Sequence, residues 1–289
     1  MNTRSKSLRE HVLDASHLPG CLALSAEAGW NQIEADWRLM LGLGLGLGVS
    51  TADGRLVATT IMLPYGRRFG WISMVLVTAD FRRRGIAKRL LRRAVDELVG
   101  GGHVPLLDAT PAGREVYCQL GFEDCWGMQR FASASGMAPA AAREHDLEVR
   151  RHVPDDWTRV LEFDRAVFGA DRSGILRNLA MRVPSAALVA ERNGRFCGAS
   201  FARDGRVATQ IGPVIAADEE TALALIAAAL AKIPAPVFID VPDRHARIAA
   251  WLRATGFAPQ RSLTRMARQR NRAFDDLDSL FAIAGPELG

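Results

Sequence analysis

An internal repeat constrains this chain more than any single motif. Gly121-Phe122 followed by Arg130-Phe131 aligns without gaps on Gly256-Phe257 followed by Arg265-Met266, at a constant offset of 135 residues. Each half also ends a late apolar stretch on an aspartate, Asp108 in LDATP and Asp240 in IDVPD. The same order of helix and strand signals surrounds both sets of anchors, which is the signature of a tandem duplication of one fold. At 289 residues the chain has about twice the ordinary domain length, so each half can bury its own core.

In the first half, Ser7 to Val12 reads as a strand and Asp14 as the cap of a helix running to Ala28. Asn31 caps a second helix, NQIEADWRLML, with Ile33, Trp37 and Leu41 on one face. The run from Leu41 to Gly48 alternates leucine with glycine. As a strand it has one face bare of side chains, which suits a close backbone approach, and loop flexibility explains it equally well. Asp53-Gly54 is a hairpin signal leading into Arg55 to Leu63. Trp71 to Thr78 is the central strand, Arg84 to Val99 a long helix, and Val104 to Ala109 a further strand. Thr110-Pro111 opens a helix through Tyr117, with threonine as cap and proline in the first turn. Phe122 to Phe131 completes the half.

The small, polar, proline-bearing stretch SASGMAPAAAREHD has linker composition. The expected organisation is a first domain at 1–134, a linker at 135–146, a second domain at 147–270 and a tail at 271–289. In the second half, helices are expected at Asp155 to Phe168, Arg172 to Met181 and Glu219 to Lys232. A hairpin crosses Asn193-Gly194, and strands fall near Val207 to Ala216 and Val237 to Val241.

The stretch WISMVLVTADFRRRGIAKRLL, Trp71 to Leu91, carries the chemistry. An apolar strand passes through a short turn into a basic helix start containing Gly85. A helix start presents N–H groups without intrahelical acceptors together with the positive end of the dipole, so it binds phosphate oxygens. Arg82, Arg83 and Arg84 add forked donors for the same anions, and small residues at Gly85 and Ala87 let phosphates reach the backbone. The second half has Ala216-Ala-Asp-Glu-Glu-Thr-Ala222 at this point, with no glycine and three carboxylates that repel phosphate.

Arg82-x-x-Gly85-x-Ala87, the strand before it and Tyr117-Cys-Gln-Leu-Gly-Phe122 after it resemble the GNAT acetyltransferase superfamily. The second half resembles the GNAT-like C-terminal domain of tandem bacterial members, through FDRAVFGADRS and QIGPVIA. The resemblance implies an α/β chain of two tandem GNAT folds. Each would be a mixed, mostly antiparallel sheet flanked by helices, with a splayed central strand pair. It further implies an N-acetyltransferase moving an acetyl group from acetyl-CoA to a primary amine, with a small-molecule acceptor as the first expectation. The alternatives are protein lysine or N-terminal acetylation, and a non-catalytic acyl-CoA-binding regulatory module.

Carried onto this sequence, the family pattern assigns the coenzyme to Met74, Val75, Leu76 and Val77 by their backbone, and to Arg82, Arg83, Arg84, Gly85, Ile86 and Ala87 at the helix start. Thr110 and Tyr117 join them, with Tyr117 as general acid. A packing tyrosine and a plain helix cap remain open as readings of those two residues. Trp30 and Glu34 fall where the acceptor cleft begins. The central strand lacks the glutamate that many members use as base, having Ile72, Ser73 and Met74 there, so Glu34, Asp36, Asp108 and His103 remain as candidates. The second half has Leu252 at the offset position of Tyr117 and is expected to be non-catalytic, completing the cleft, forming a homodimer, or only stabilising.

Composition narrows the rest. The cysteines Cys21, Cys118, Cys125 and Cys197 have no metal-ligand spacing, so neither zinc nor disulfides are expected. Net charge is +5, and all but Lys6, Lys88 and Lys232 of the 37 basic residues are arginine. No aromatic interleaving accompanies them, so no nucleic-acid partner is expected. No apolar run has the length of a membrane span and the first residues lack an apolar leader, so a cytoplasmic location without membrane association is expected.

Overall fold

The computed structural model describes residues 8–134 and 146–289; Ser7 of the expected first strand and residues 135–145 of the expected linker at 135–146 lie outside them. The chain forms two compact units, Met1–Leu107 and Asp108–Gly289.

The first unit runs β1 (Leu8–Val12), α1 (Leu18–Glu27), α2 (Glu34–Leu43), β2 (Leu45–Thr51), β3 (Leu56–Tyr65), β4 (Phe69–Val77), α3 (Ile86–Gly100) and β5 (Val104–Ala109), whose end passes into the second unit. β1 to β4 pair antiparallel in chain order, and β5 joins β4 in parallel. Helix α3 packs on β3 and β4, while α1 and α2 lie against β2 and β3. Ile86, Leu90, Leu91, Ala94, Val95 and Leu98 form the buried stripe of α3 that the sequence period marks. Each of the isoleucine, leucine and valine side chains in this stripe contributes about 1.5–3 kcal/mol when fully buried.

Two helix starts differ from expectation. Asp14 caps a single 3-10 turn at Ala15–His17 by accepting from Ser16 N at 2.8 Å, and α1 follows it. α2 begins at Glu34 instead of Asn31, because the buried Asp36 carboxylate reaches back to accept from Ile33 N at 2.8 Å. The leucine–glycine run is divided, with α2 ending at Leu43 and β2 starting at Leu45. Its glycines answer to close approach: a Cβ on Gly44 would lie 2.1 Å from Met62 O, and one on Gly48 would lie 2.5 Å from a Leu13 methyl.

The second unit holds α4 (Pro111–Cys118), β6 (Phe122–Ser133), β7 (Leu147–Arg151), α5 (Trp157–Phe168), α6 (Ser173–Arg182), β8 (Leu188–Arg192), β9 (Arg195–Arg203) and β10 (Thr209–Ala216). After them come α7 (Glu219–Leu230), β11 (Val237–Pro242), α8 (Ala246–Ala254), β12 (Ala258–Arg268) and β13 (Leu280–Ala282). The sheet order is β12-β6-β11-β10-β9-β8-β7, and β13 pairs with β10. β6, the last strand of the first repeat, therefore hydrogen-bonds to two strands of the second, β11 and β12. The hairpin at Asn193-Gly194 forms as expected, with positive φ of 51° and 74° at its two central residues. Phe131, Leu188, Ile211, Val214, Ile226 and Ile239 lie in its core.

Candidate active site

In the first unit, β4 carries a bulge. Ser73 pairs with Ile61 and Leu76 with Thr59, so Met74 and Val75 oppose the single residue Thr60. Met74 takes a positive φ of 51°, uncommon for a side chain of this kind. The hydroxyl of Thr59 donates to Met74 O at 2.8 Å and fixes the bulge from β3. The parallel ladder to β5 covers only Phe69–Trp71 against Val104–Leu106. The four expected backbone positions, Met74, Val75, Leu76 and Val77, therefore lie on the bulged end of β4, past the last β5 pairing.

The turn after β4 is braced by its own side chains. Glu27, at the end of α1, accepts from Thr78 Oγ1 and from Ala79 N, both at 2.6 Å, and lies 3.8 Å from Arg82 Nη2. Those hydrogen bonds, that from Thr78 foremost, hold the Glu27 carboxyl below its usual range. Arg82 Nε donates to Val77 O at 3.0 Å, and Arg84 Nη2 donates to Asp80 O at 2.8 Å. Arg82, Arg83 and Arg84 are all exposed.

Arg83 and Gly85 have left-handed φ values of 59° and 73°. At Gly85 the requirement is backbone conformation, since a Cβ there would meet nothing within 4 Å. Helix α3 has no side-chain cap and no acidic residue in its first turn, and its ladder opens with Arg89 N donating to Gly85 O. The N–H groups of Ile86 and Ala87, ahead of that bond, are among those a helix leaves without an internal acceptor. The start of α3 thus joins open donors, a dipole end and exposed cations.

At the start of α2 the acceptor-side residues are less organised. Trp30 is half-buried, and Glu34 is exposed and paired with Arg38 at 2.6 Å. Among the candidate bases, Asp36 is committed to Ile33 N, and His103 Nε2 donates to Gly66 O at 2.9 Å.

In the second unit, Thr110 Oγ1 accepts from Gly113 N at 3.2 Å and caps α4, with Pro111 following as expected. Arg114 grips Asp124 through Nε at 2.9 and 2.8 Å, tying α4 to β6. Tyr117 is half-buried, its ring 6.1 Å from that of Phe122, and burial pushes its phenol up to about 12. Asp108 is held by Arg265 Nε and Nη2 at 2.9 and 3.0 Å, which occupies both carboxylate oxygens in a buried ion pair.

The second repeat has a different helix start. Asp218 caps α7 by accepting from Thr221 N at 2.7 Å, and Glu219 and Glu220 occupy the first turn. Leu252, at the offset position of Tyr117, is fully buried.

The sequence reasoning missed Thr59 and Glu27. Neither belongs to a short motif; their partners lie 15 and more than 50 residues away along the chain. Among the described residues, no cluster of His, Cys, Asp and Glu is placed to hold a metal ion, and no helix is long and apolar enough to cross a membrane.

Residues 25–122 match the family described as the acetyltransferase (GNAT) family, and residues 160–282 match the acetyltransferase (GNAT) domain family. The chain is 24% identical over 246 residues to the uncharacterized N-acetyltransferase YitH of Bacillus subtilis, covering 85% of this chain and 86% of that protein. A crystal structure from Pyrococcus horikoshii, assigned as an acetyltransferase, superposes with a TM-score of 0.79 at 18% identity, covering 100% of this chain and 98% of that one. A tandem GNAT protein from the clavulanic acid biosynthesis pathway gives 0.66 at 15% identity, covering 90% and 98%.

Proposed function

The chain belongs to the GNAT family of acetyltransferases and carries two such domains in tandem, and from that premise we propose that its first repeat acetylates a primary amine of a small molecule from acetyl-CoA. The observation that carries this reading is the uncapped, cationic, left-handed entry into α3 directly after a bulged strand. The donor set fits the coenzyme. The bulged end of β4 lies past its last β5 pairing, a place suited to an extended chain with two amides. The α3 start suits a pyrophosphate, for which its N–H groups have no competing side chain of their own.

Bound there, the coenzyme supplies an activated acetyl thioester. The backbone of Met74 to Val77 orients it, with an N–H near the strand end polarising the carbonyl. Arg82, Arg83 and Arg84 hold the phosphates, with Gly85, Ile86 and Ala87 offering backbone. Thr110 contributes at the head of α4. Tyr117, as proton donor, keeps its proton throughout the neutral range because burial raises it. A coenzyme thiol is a stronger acid than this phenol, so the hydroxyl acts chiefly by hydrogen bonding to sulfur as charge develops there. Glu34 takes the amine proton through water, and Trp30 walls the acceptor. The second repeat does no chemistry, since its helix start is self-capped and acidic and Leu252 replaces the tyrosine.

The test is a panel of small amines, aminated sugars and lysine peptides assayed by thiol release, with acetyl-CoA binding followed calorimetrically. Turnover with small amines above that with peptides supports the reading. Coenzyme binding without turnover on any amine supports a regulatory module instead.

A further inference from the structure

In each repeat the parallel central pair has a three-residue ladder, and among the described residues a further strand, β13, continues beyond that ladder in the second. In the first, β4 and β5 pair through Trp71–Leu106, and the bulge follows at Met74–Val75. In the second, β10 and β11 pair in parallel through Ile211–Ile239, and the β9 register then shifts between Ile211 and Val214, placing an equivalent irregularity at Gly212–Pro213. Beyond it β13 enters. It pairs antiparallel with β10 through Val214–Ala282 and Ile215–Leu280, while Ala216 N donates to Ser279 O at 3.0 Å. Ile283 N donates across to Asp240 O on β11 at 3.1 Å, so the segment bridges both splayed strands.

We propose that the segment Ser279–Gly289 is a built-in peptide occupant of the second repeat's acyl-CoA cleft, which the chain retains as a slot for an extended backbone of its own. This rests on the coenzyme reading of the first repeat, since that reading defines what the splay is for. Gly212 lies directly against the occupant: a Cβ there would stand 1.9 Å from Ile283 O, so the glycine admits the tail. Met74 has a buried side chain at the matching bulge of β4.

The tail is anchored by polar bonds specific to it. Glu287 is buried against Arg203; Arg203 Nη2 donates to Gln210 Oε1 at 3.1 Å, and Gln210 Nε2 donates to Asp240 Oδ2 at 2.7 Å. Arg172 Nη1 donates to Gly289 O and His245 Nε2 donates to Leu280 O, at 2.8 and 2.9 Å. The phosphate end of the same cleft is closed as well, by the Asp218 cap and the carboxylates of Glu219 and Glu220. An extended peptide satisfies the strand groups that pantetheine amides satisfy elsewhere, and it needs no phosphate site.

Hydrogen exchange by mass spectrometry on the full chain, with and without coenzyme A, tests this alongside calorimetric stoichiometry. Expected are one coenzyme per chain, coenzyme-induced protection of Leu76 and Val77, and slow exchange over 279–284 unchanged by coenzyme. Glu287→Ala should speed exchange over 279–284 by about tenfold or more through local release while the protection of β4 persists. Two coenzymes per chain, coenzyme protection of Val214–Ala216, or faster exchange of 279–284 on adding coenzyme overturns the proposal. So does fast exchange of 279–284 in the untreated chain. Slow exchange there with no coenzyme effect on β4 overturns the coenzyme reading instead, and with it the equivalence of the two clefts.

Discussion

Arg130 and Asp240 meet in a two-point buried ion pair, Nε to Oδ1 at 2.7 Å and Nη2 to Oδ2 at 2.6 Å, joining the last strand of the first repeat to a strand of the second. Their repeat counterparts close the reciprocal pair, Arg265 to Asp108. Each guanidinium also lies over an aromatic ring of the other repeat, Arg130 over Phe238 at 5.0 Å and Arg265 over Trp126 at 4.4 Å. The arginines and aspartates visible in the repeat are thus paired across the duplication.

Breaking one member of such a pair strands a buried charge. Arg130→Ala is expected to lower unfolding free energy by about 3–5 kcal/mol, read from denaturant melts. Arg265→Ala should match it, while Arg130→Met recovers part of the loss by refilling the volume. A loss within the range of an exposed ion pair, about 1 kcal/mol or less, would show that these pairs do not join the repeats energetically.

Tyr117→Phe should reduce kcat by about a hundredfold while leaving the KM for acetyl-CoA nearly unchanged, measured by thiol release. Because burial raises the phenol to about 12, tyrosine deprotonation should cause no alkaline loss of rate below about pH 11, whereas an ordinary phenol would titrate near 10. Unchanged turnover in the variant removes Tyr117 from the chemistry.

At Gly85 the left-handed φ of 73° costs alanine about 1–2 kcal/mol. Gly85→Ala should therefore raise the KM for acetyl-CoA by about tenfold with kcat retained, and Gly85→Glu should abolish measurable binding through added repulsion. If calorimetry finds the glutamate variant binding as the parent does, the α3 start is not the phosphate site.

Hydrogen bonds from Arg150 foremost, then from Arg159 and from Val153 N, hold the Asp156 carboxyl far below its usual range against the opposing effect of burial. A depressed folded-state pKa gives stability that is complete above the unfolded value, about 4, and is lost as pH falls below it. Asp156→Asn should lower stability at pH 7 by about 1–3 kcal/mol and flatten the acid limb of a stability–pH curve. An acid limb identical to the parent's would place that pH dependence on other carboxylates.

Much of the architecture was legible before any coordinates. The Asp53-Gly54 and Asn193-Gly194 turns, the Thr110-Pro111 helix start and the buried stripe of α3 are written in neighbouring residues, and local steric and capping rules suffice to read them. The start of α2 was not legible, because Asp36 outcompeted Asn31 by reaching back from inside the helix. Glu27 and Thr59 were missed because a carboxylate or a hydroxyl becomes a brace only once folding delivers its partner.

By itself, the sequence determined the duplication and the cationic glycine turn ahead of α3, since these follow from its repeat and from the conformations that each residue type permits, while the GNAT fold was implied by the resemblance its motifs carry. Tertiary structure alone decided which aspartate each arginine would meet, that β6 would lie between β11 and β12, and that β13 would enter the splay of the second repeat. Strand pairing between distant segments is settled by hydrogen-bond register and by the volume available, as at Gly212, where the space that admits the tail exists only after β10 and β11 have separated.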